Sequence, residues 1–449
     1  MSVRLSCPPA PGPLEAYAVQ FDPLLKTPAQ RRGFRTYLSG LLLPRERSKT
    51  LTALVGAEPL VQAQAAEVQR LQFFLSEAAW DGEAVNAKRL ALLLAEPATA
   101  PSAAGVLVID DTGDRKDGSA TDHVARQYLG SVGKVDNGIV AVTTLWADED
   151  CYYPLHVMPY TPEKRLVKGR QDPAFLTKPQ IALSLVDKAQ TAGVAFCAIV
   201  ADCFYGDNNA LEGALLKRGL PHVLARRGAA GRGRAPAEAD HSFADAARSL
   251  PLCAWHEVIR RFRGGHTERW WAAELTLFGY GPGRPVRAIC ATTDRLALPE
   301  LSTWYLTTNL PAPLAEIVRI YGLRNWIEQG YKQMKDELGW ADFMVRSDRA
   351  IRRHWTLVCC AFAFCWWHEA GQARTGDSQL ADLSEAPVEA GKKNRQRQGA
   401  GVLATPAARR ARLADPGTLA GALLECLCRH PPAGRTRRAA RRPERRPRD

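Results

Sequence analysis

The stretch YGLRNWIEQGYKQMK, residues 321–335, carries Tyr321, Arg324, Glu328 and Lys335 at offsets of 0, 3, 7 and 14. A helix turns about 100° per residue, so the four side chains are expected within about 60° of one helix face. A carboxylate flanked by two cations suits phosphate chemistry. Glu328 can ligate a divalent ion while Arg324 and Lys335 hold phosphate oxygens. An exposed face with ordinary ion pairs would show the same spacing, so the reading needs further acids. Two apolar runs supply them: VLVIDDT ends in Asp110 and Asp111, and AIVAD ends in Asp202. One aspartate at a strand end is commonly a turn residue or a helix cap. Two such strands side by side, with a helical glutamate, make an all-oxygen donor set. That set suits two Mg²⁺ ions about 4 Å apart, with Mn²⁺ as a substitute, better than zinc.

The elements that must position these acids follow from the pattern. Residues 1–100 read as helical, with breaks near Pro23 and Pro44. After the linker ATAPSA come GVLVID, GIVAVTTLWA and YYPLHVMPY, three strands in hairpin connection. VAFCAIVAD is a fourth strand, NNALEGALLKRG a helix closed by Gly219, and PHVLA a fifth strand. Three strands followed by strand–helix–strand is the order of an RNase H-like core. The expected fold is therefore α/β: an RNase H-like mixed sheet with flanking helices, interrupted by a β-rich insertion and preceded by an all-helical domain. The expected segments are 1–100 (helical), 101–225 (core, first part), 226–310 (insertion, with WHEVIRRF, WWAAELTLFGY, RPVRAICATT and TWYLTTN as strands), 311–372 (core helices with Glu328) and 373–449 (a basic low-complexity tail).

Bulk properties add less. The net charge of +13 points to an acidic partner, nucleic acid first. Yet residues 391–449 hold 16 Lys plus Arg against 4 Asp plus Glu, so +12 of the +13 sits in the tail. No two of the eleven cysteines have the two-residue gap of a zinc knuckle or redox dithiol, which suits buried, reduced thiols in the cytoplasm. No signal pattern opens the chain, and the apolar run WTLVCCAFAFCWW is too short to span a membrane and reads as a buried helix.

Four blocks, in order and spacing, resemble the DDE transposases of bacterial insertion sequences, specifically the insertion-sequence 4 and 701 groups with their Tyr-x2-Arg-x3-Glu-x6-Lys signature. The blocks are IDDTG, VARQYLGSVGKVDN, ADCFYGDN and the stretch from Tyr321 to Lys335. The resemblance implies that Asp202 and Glu328 are the second and third metal ligands. The first is Asp110 or Asp111: alignment on the apolar run favours Asp110, alignment on the following threonine Asp111, and only one can face the metals because strand residues alternate. It implies that Tyr321, Arg324 and Lys335 contact end phosphates, and that Trp304 in STWYLTTNL stacks a flipped base, with Trp270 and Trp271 as weaker alternatives. The helical N-terminus would bind the terminal inverted repeats, with Arg31, Arg32 and Arg35 as phosphate contacts. The implied partners are double-stranded DNA, both terminal repeats and target, and a second copy of the chain on paired ends. Neither a membrane nor a small-molecule substrate is expected.

The expected activity is cut-and-paste transposition: metal-assisted hydrolysis of a phosphodiester, then transfer of the 3′-OH to target DNA. The alternatives are an RNase H-like nuclease without strand transfer and an inactive or co-opted transposase that only occupies DNA. The tail departs from the family, which continues with a Trp-rich segment. RTRRAARRPERRPRD reads either as a disordered DNA-binding arm or as the out-of-frame product of a GC-rich gene.

Overall fold

The computed structural model describes residues 7–44, 47–59, 61–229, 242–262, 266–277, 279–299 and 302–384, with side chains described as far as Gly371. Its described residues pack as two compact units. One comprises those through Cys197 and from Trp326 onward, the other Ala198–Asn325.

The first unit opens with helices α1 (Leu14–Ala18), α2 (Pro28–Leu42), α3 (Leu51–Leu54), α4 (Ala66–Ser76) and α5 (Gly82–Ala95). Pro28 follows Thr27, whose hydroxyl and Gln30 form a capping box that starts α2, a device worth about 1 kcal/mol. Pro44 follows the end of α2, and Pro23 lies in a 3₁₀ turn, as the breaks in the pattern predict. Four strands follow: β1 (Val106–Arg115), β2 (Ala125–Leu129), β3 (Lys134–Ala147) and β4 (Tyr152–Tyr160). β3 is the spine of an antiparallel sheet, pairing with β1, β2 and β4. The three-strand expectation omitted β2, because ARQYL alternates exposed and half-buried residues and only Leu129 is buried. Helix α6 (Lys178–Thr191), capped by Thr177 and Gln180, packs on β3 and β4.

The second unit contains β5 (Ala198–Ala201), α7 (Cys203–Gly206), α8 (Asn209–Lys217) and β6 (His222–Arg226), with β5 and β6 parallel. Gly219 closes α8 with φ +64°, a conformation costly to any side chain. The short helix α9 (Phe243–Arg248) lies within residues 226–253, a Gly/Ala/Arg-rich stretch that reads as loop, and Phe243 anchors it on the sheet. Strands β7 (His256–Arg261), β8 (Thr267–Leu275), β9 (Arg287–Thr292) and β10 (Thr303–Thr308) form an antiparallel meander, and β10 pairs with β6. The four strands expected in the insertion are therefore present and continue the β5–β6 pair.

Helix α10 (Leu314–Gly322) ends the second unit, and α11 (Asn325–Asp336) and α12 (Asp348–Ser384) return to the first. The expected single helix through the Tyr321–Lys335 signature is thus corrected: Tyr321 lies on α10, Arg324 in a turn, and Glu328 and Lys335 on α11. The break coincides with a close approach from a distant strand. A Cβ on Gly322 would collide with the Arg260 guanidinium, so a weak helix former stands there. The last turn tightens, with Arg324 N–H donating to the Tyr321 carbonyl at 3.1 Å. The buried-helix reading of residues 355–367 holds: Trp355, Leu357, Val358, Cys360, Ala361, Phe362, Ala363 and Cys365 are fully enclosed, and α12 packs on α5, α2 and β4. No described helix is long and apolar enough to cross a membrane. The tail expected from residue 373 begins later, because α12 continues to Ser384. Adding residues to an existing helix is cheap, and the first proline after α12 begins is Pro387. The rest of the tail lies outside the described residues.

Candidate active site

β1 carries acids on both of its faces. Asp110, Thr112 and Asp114 share one face of the strand, and Asp111 points to the other. Buried carboxylates need partners, and the partners differ by face. Asp111 meets Lys178 of α6, with Nζ 3.2 Å from Oδ1 and both side chains largely buried. Asp114 meets Lys335 of α11, with Nζ 2.6 Å from Oδ1, and the same ammonium donates to the Gly113 carbonyl at 3.2 Å. The Asp110 carboxylate accepts the Asp111 backbone N–H at 2.8 Å.

α11 lies on the Asp110 face. Tyr331 Oη and Thr143 Oγ1 are 2.5 Å apart and both residues are buried. Thr143 is the cross-strand partner of Asp110. Glu328, Tyr331 and Lys335 sit at offsets 0, 3 and 7, one helix face. Trp326 stacks on Tyr152 with centroids 4.4 Å apart, and Gln333 accepts from the Tyr152 hydroxyl at 2.9 Å. Burial, and then the negative charge of Asp110, push the Tyr331 phenol well above its ordinary range; Asp111 and Glu328 add to the rise, while the Thr143 hydrogen bond opposes it.

In the second unit Asp202 is the N-cap of α7. Its Oδ1 accepts the N–H groups of Phe204 at 3.0 Å and Tyr205 at 3.3 Å. The block after it is pinned residue by residue. Gly206 packs so closely on β6 that a Cβ would collide with the Ala225 carbonyl. Asp207 pairs with Arg227, and Asn208 caps α8. Burial pushes the Cys203 thiol up to about 11, and the Asp202 and Asp207 charges add to this.

Trp304 lies in an aromatic cluster. Its ring centroid is 4.1 Å from that of Trp270 and 4.8 Å from that of Tyr321, with the Arg260 guanidinium 5.0 Å away. Arg260 also lies over Phe262 and Trp270. Trp271 is on the other side of the strand, under Arg295 at 3.9 Å. At the N-terminus, Arg35 is buried in a double ion pair with Glu15 and Asp22, which corrects its reading as a phosphate contact. Arg31 donates to the Leu25 carbonyl, whereas Arg32 is exposed.

The family profile described as DDE superfamily endonuclease matches residues 20–236, and that described as Transposase DDE domain matches residues 178–364. A probable transposase for insertion sequence element IS701, from Microchaete diplosiphon, is 35% identical over 280 residues, which are 61% of this chain and 68% of that protein. The chain belongs to the DDE transposases of insertion sequences.

In this DDE transposase the donors on offer are carboxylate oxygens, the chemistry of a hard divalent cation. Among the described residues no three His, Cys, Asp or Glu side chains are already arranged around a metal position. The donor chemistry fits such an ion, and Tyr331 ties the helix that bears Glu328 to Thr143, the cross-strand neighbour of Asp110. Sequence reasoning missed Asp114, Thr143, Tyr331 and Arg260. Asp114 had a readable signal, the period of two from Asp110; Thr143 and Arg260 had none, since their roles depend on register and packing.

Proposed function

We propose that this transposase performs cut-and-paste transposition: it binds the terminal inverted repeats of its element as a dimer on paired ends, hydrolyses a phosphodiester there, and transfers the freed 3′-OH to target DNA. Asp110 and Glu328 of the first unit and Asp202 of the second would hold divalent ions, Mg²⁺ with Mn²⁺ as a substitute. When bound, such ions supply Lewis acidity to a phosphodiester and lower the pKa of an attacking water. The single observation that carries this reading is that α11, which bears Glu328, is hydrogen-bonded through Tyr331 to Thr143, the cross-strand neighbour of Asp110. It also favours Asp110 over Asp111 as first ligand, since Asp111 is turned to Lys178.

The chain's other residues then bind and orient DNA. Arg324 and Tyr321 contact phosphates beside the cut, and Arg32 adds an exposed cation from α2. Lys335 is held by Asp114 and would reach a phosphate by exchanging one anion for another. Trp304 would stack a flipped base only if Arg260 or Trp270 gave way. The protein would act where bacterial DNA is, in the cytoplasm.

The test is cleavage of a labelled duplex carrying the element's own end, in Mg²⁺ or Mn²⁺, with Glu328→Ala as control. Wild type should cut at the end and join it to a second duplex, while Glu328→Ala binds without cutting. Cutting without joining would instead make the protein a nuclease. Binding by both without cutting would make it a DNA-binding relic.

A further inference from the structure

We propose that Tyr331 is a positioning residue, whose hydroxyl ties the helix bearing Glu328 to the strand face bearing Asp110 and thereby sets the affinity for divalent ions. The inference deepens the metal-dependent reading above and rests on it.

The tie is direct. Tyr331 lies three residues after Glu328, one turn along the same face, and its hydroxyl is 2.5 Å from that of Thr143. Thr143 stands opposite Asp110 in the β1–β3 register, so one hydrogen bond separates the helix from the cross-strand neighbour of the aspartate. The helix also runs close to β3: a Cβ on Gly330 would meet Leu145 Cδ1 at 3.1 Å. A turn further on, Lys335 fastens α11 to Asp114 of the same strand. The shared face is thus held at Thr143, opposite Asp110, and at Asp114. A phenylalanine would fill the core at 331 as well as tyrosine does. A buried hydroxyl pair adds little net stability, but it is directional, and it fixes the helix rotation that aims Glu328. Outer partners of this kind orient the ligands and tune the ion they hold.

The test uses Mn²⁺ as probe, its binding to the full chain followed by electron paramagnetic resonance of the free ion. Tyr331→Phe and Thr143→Val each delete one hydroxyl and keep the shape. Each should weaken Mn²⁺ binding by about tenfold, the lower end of what outer-shell partners contribute, with duplex binding in the absence of metal unchanged. The double variant should be no worse than either single, because both remove the same bond. The concentration of Mg²⁺ needed for half-maximal cleavage should rise in step. Unchanged Mn²⁺ affinity in the single variants, alongside lowered thermal stability, would make the pair merely structural and overturn the inference while leaving the transposase reading intact. Multiplying effects in the double variant would also overturn it. Wild type that binds no Mn²⁺ would remove the metal reading and this inference with it.

Discussion

At the scale of single residues, adjacent or similar acids have different work. Asp202 caps α7 through Oδ1, so structure and chemistry can be separated there. Asp202→Asn keeps an N-capping oxygen and should leave the melting temperature nearly unchanged while cutting end cleavage on the order of a thousandfold, the rate equivalent of several kcal/mol. Asp202→Ala should lose the same activity and about 1 kcal/mol of stability besides. Asp110 and Asp111 should divide in the opposite way. Asp111→Asn breaks the largely buried pair with Lys178 and should cost about 1–3 kcal/mol in chemical denaturation with cleavage retained. Asp110→Asn should abolish cleavage. Cleavage lost only in Asp111→Asn would reverse the choice of first ligand.

At the scale of elements, the placement of the acids depends on close approaches that no side-chain pattern announces. Gly206 lets α7 lie against the Ala225 carbonyl of β6. Gly206→Ala must push the two apart, and a loss of about 3 kcal/mol or more is expected from thermal unfolding. Lys116 extends the β1 end toward the segment before α12: its Nζ donates to the carbonyls of Ala341 at 2.7 Å and Phe343 at 3.0 Å and lies over the Phe343 ring. Burial pulls this amine from 10.5 down to about 8. Between those two values the unfolded chain binds the proton and the folded chain does not, so this group makes stability rise as pH climbs through that window. Denaturation curves of wild type and Lys116→Met across the window should differ by that slope, and parallel curves would reject the assignment.

At the scale of the whole molecule, charge and core are separate matters. The protein's net charge is +13, of which residues 391–449 carry +12. A chain truncated at residue 390 should therefore bind random duplex more weakly and with a shallower dependence on salt, because fewer counterions are released. If the truncated chain still cuts its own ends, the tail is an accessory to affinity; an unchanged salt slope would show that it takes no part in binding. The apolar core of the described residues is a separate matter. It is built where α12 meets α2, α5 and β4, and where the meander β7–β10 packs on α9 and α10.

The sequence by itself determined the donor chemistry, the strands that carry Asp110 and lead to Asp202, the four strands of the β7–β10 meander and the helical N-terminus. Each of these rests on local periodicity or on residue type, which neighbours in the chain are enough to reveal. It misread the signature as one helix, placed Arg35 at the surface, and passed over β2, α9 and Asp114. Those features depend on contacts distant in sequence: Arg260 against Gly322, Glu15 and Asp22 against Arg35, Phe243 on the sheet and Lys335 on Asp114. Which of Asp110 and Asp111 lies on the face that α11 covers was likewise left to the tertiary structure: strand alternation says only that the two point apart, and it takes Tyr331 on Thr143 and Lys178 on Asp111 to say which is which.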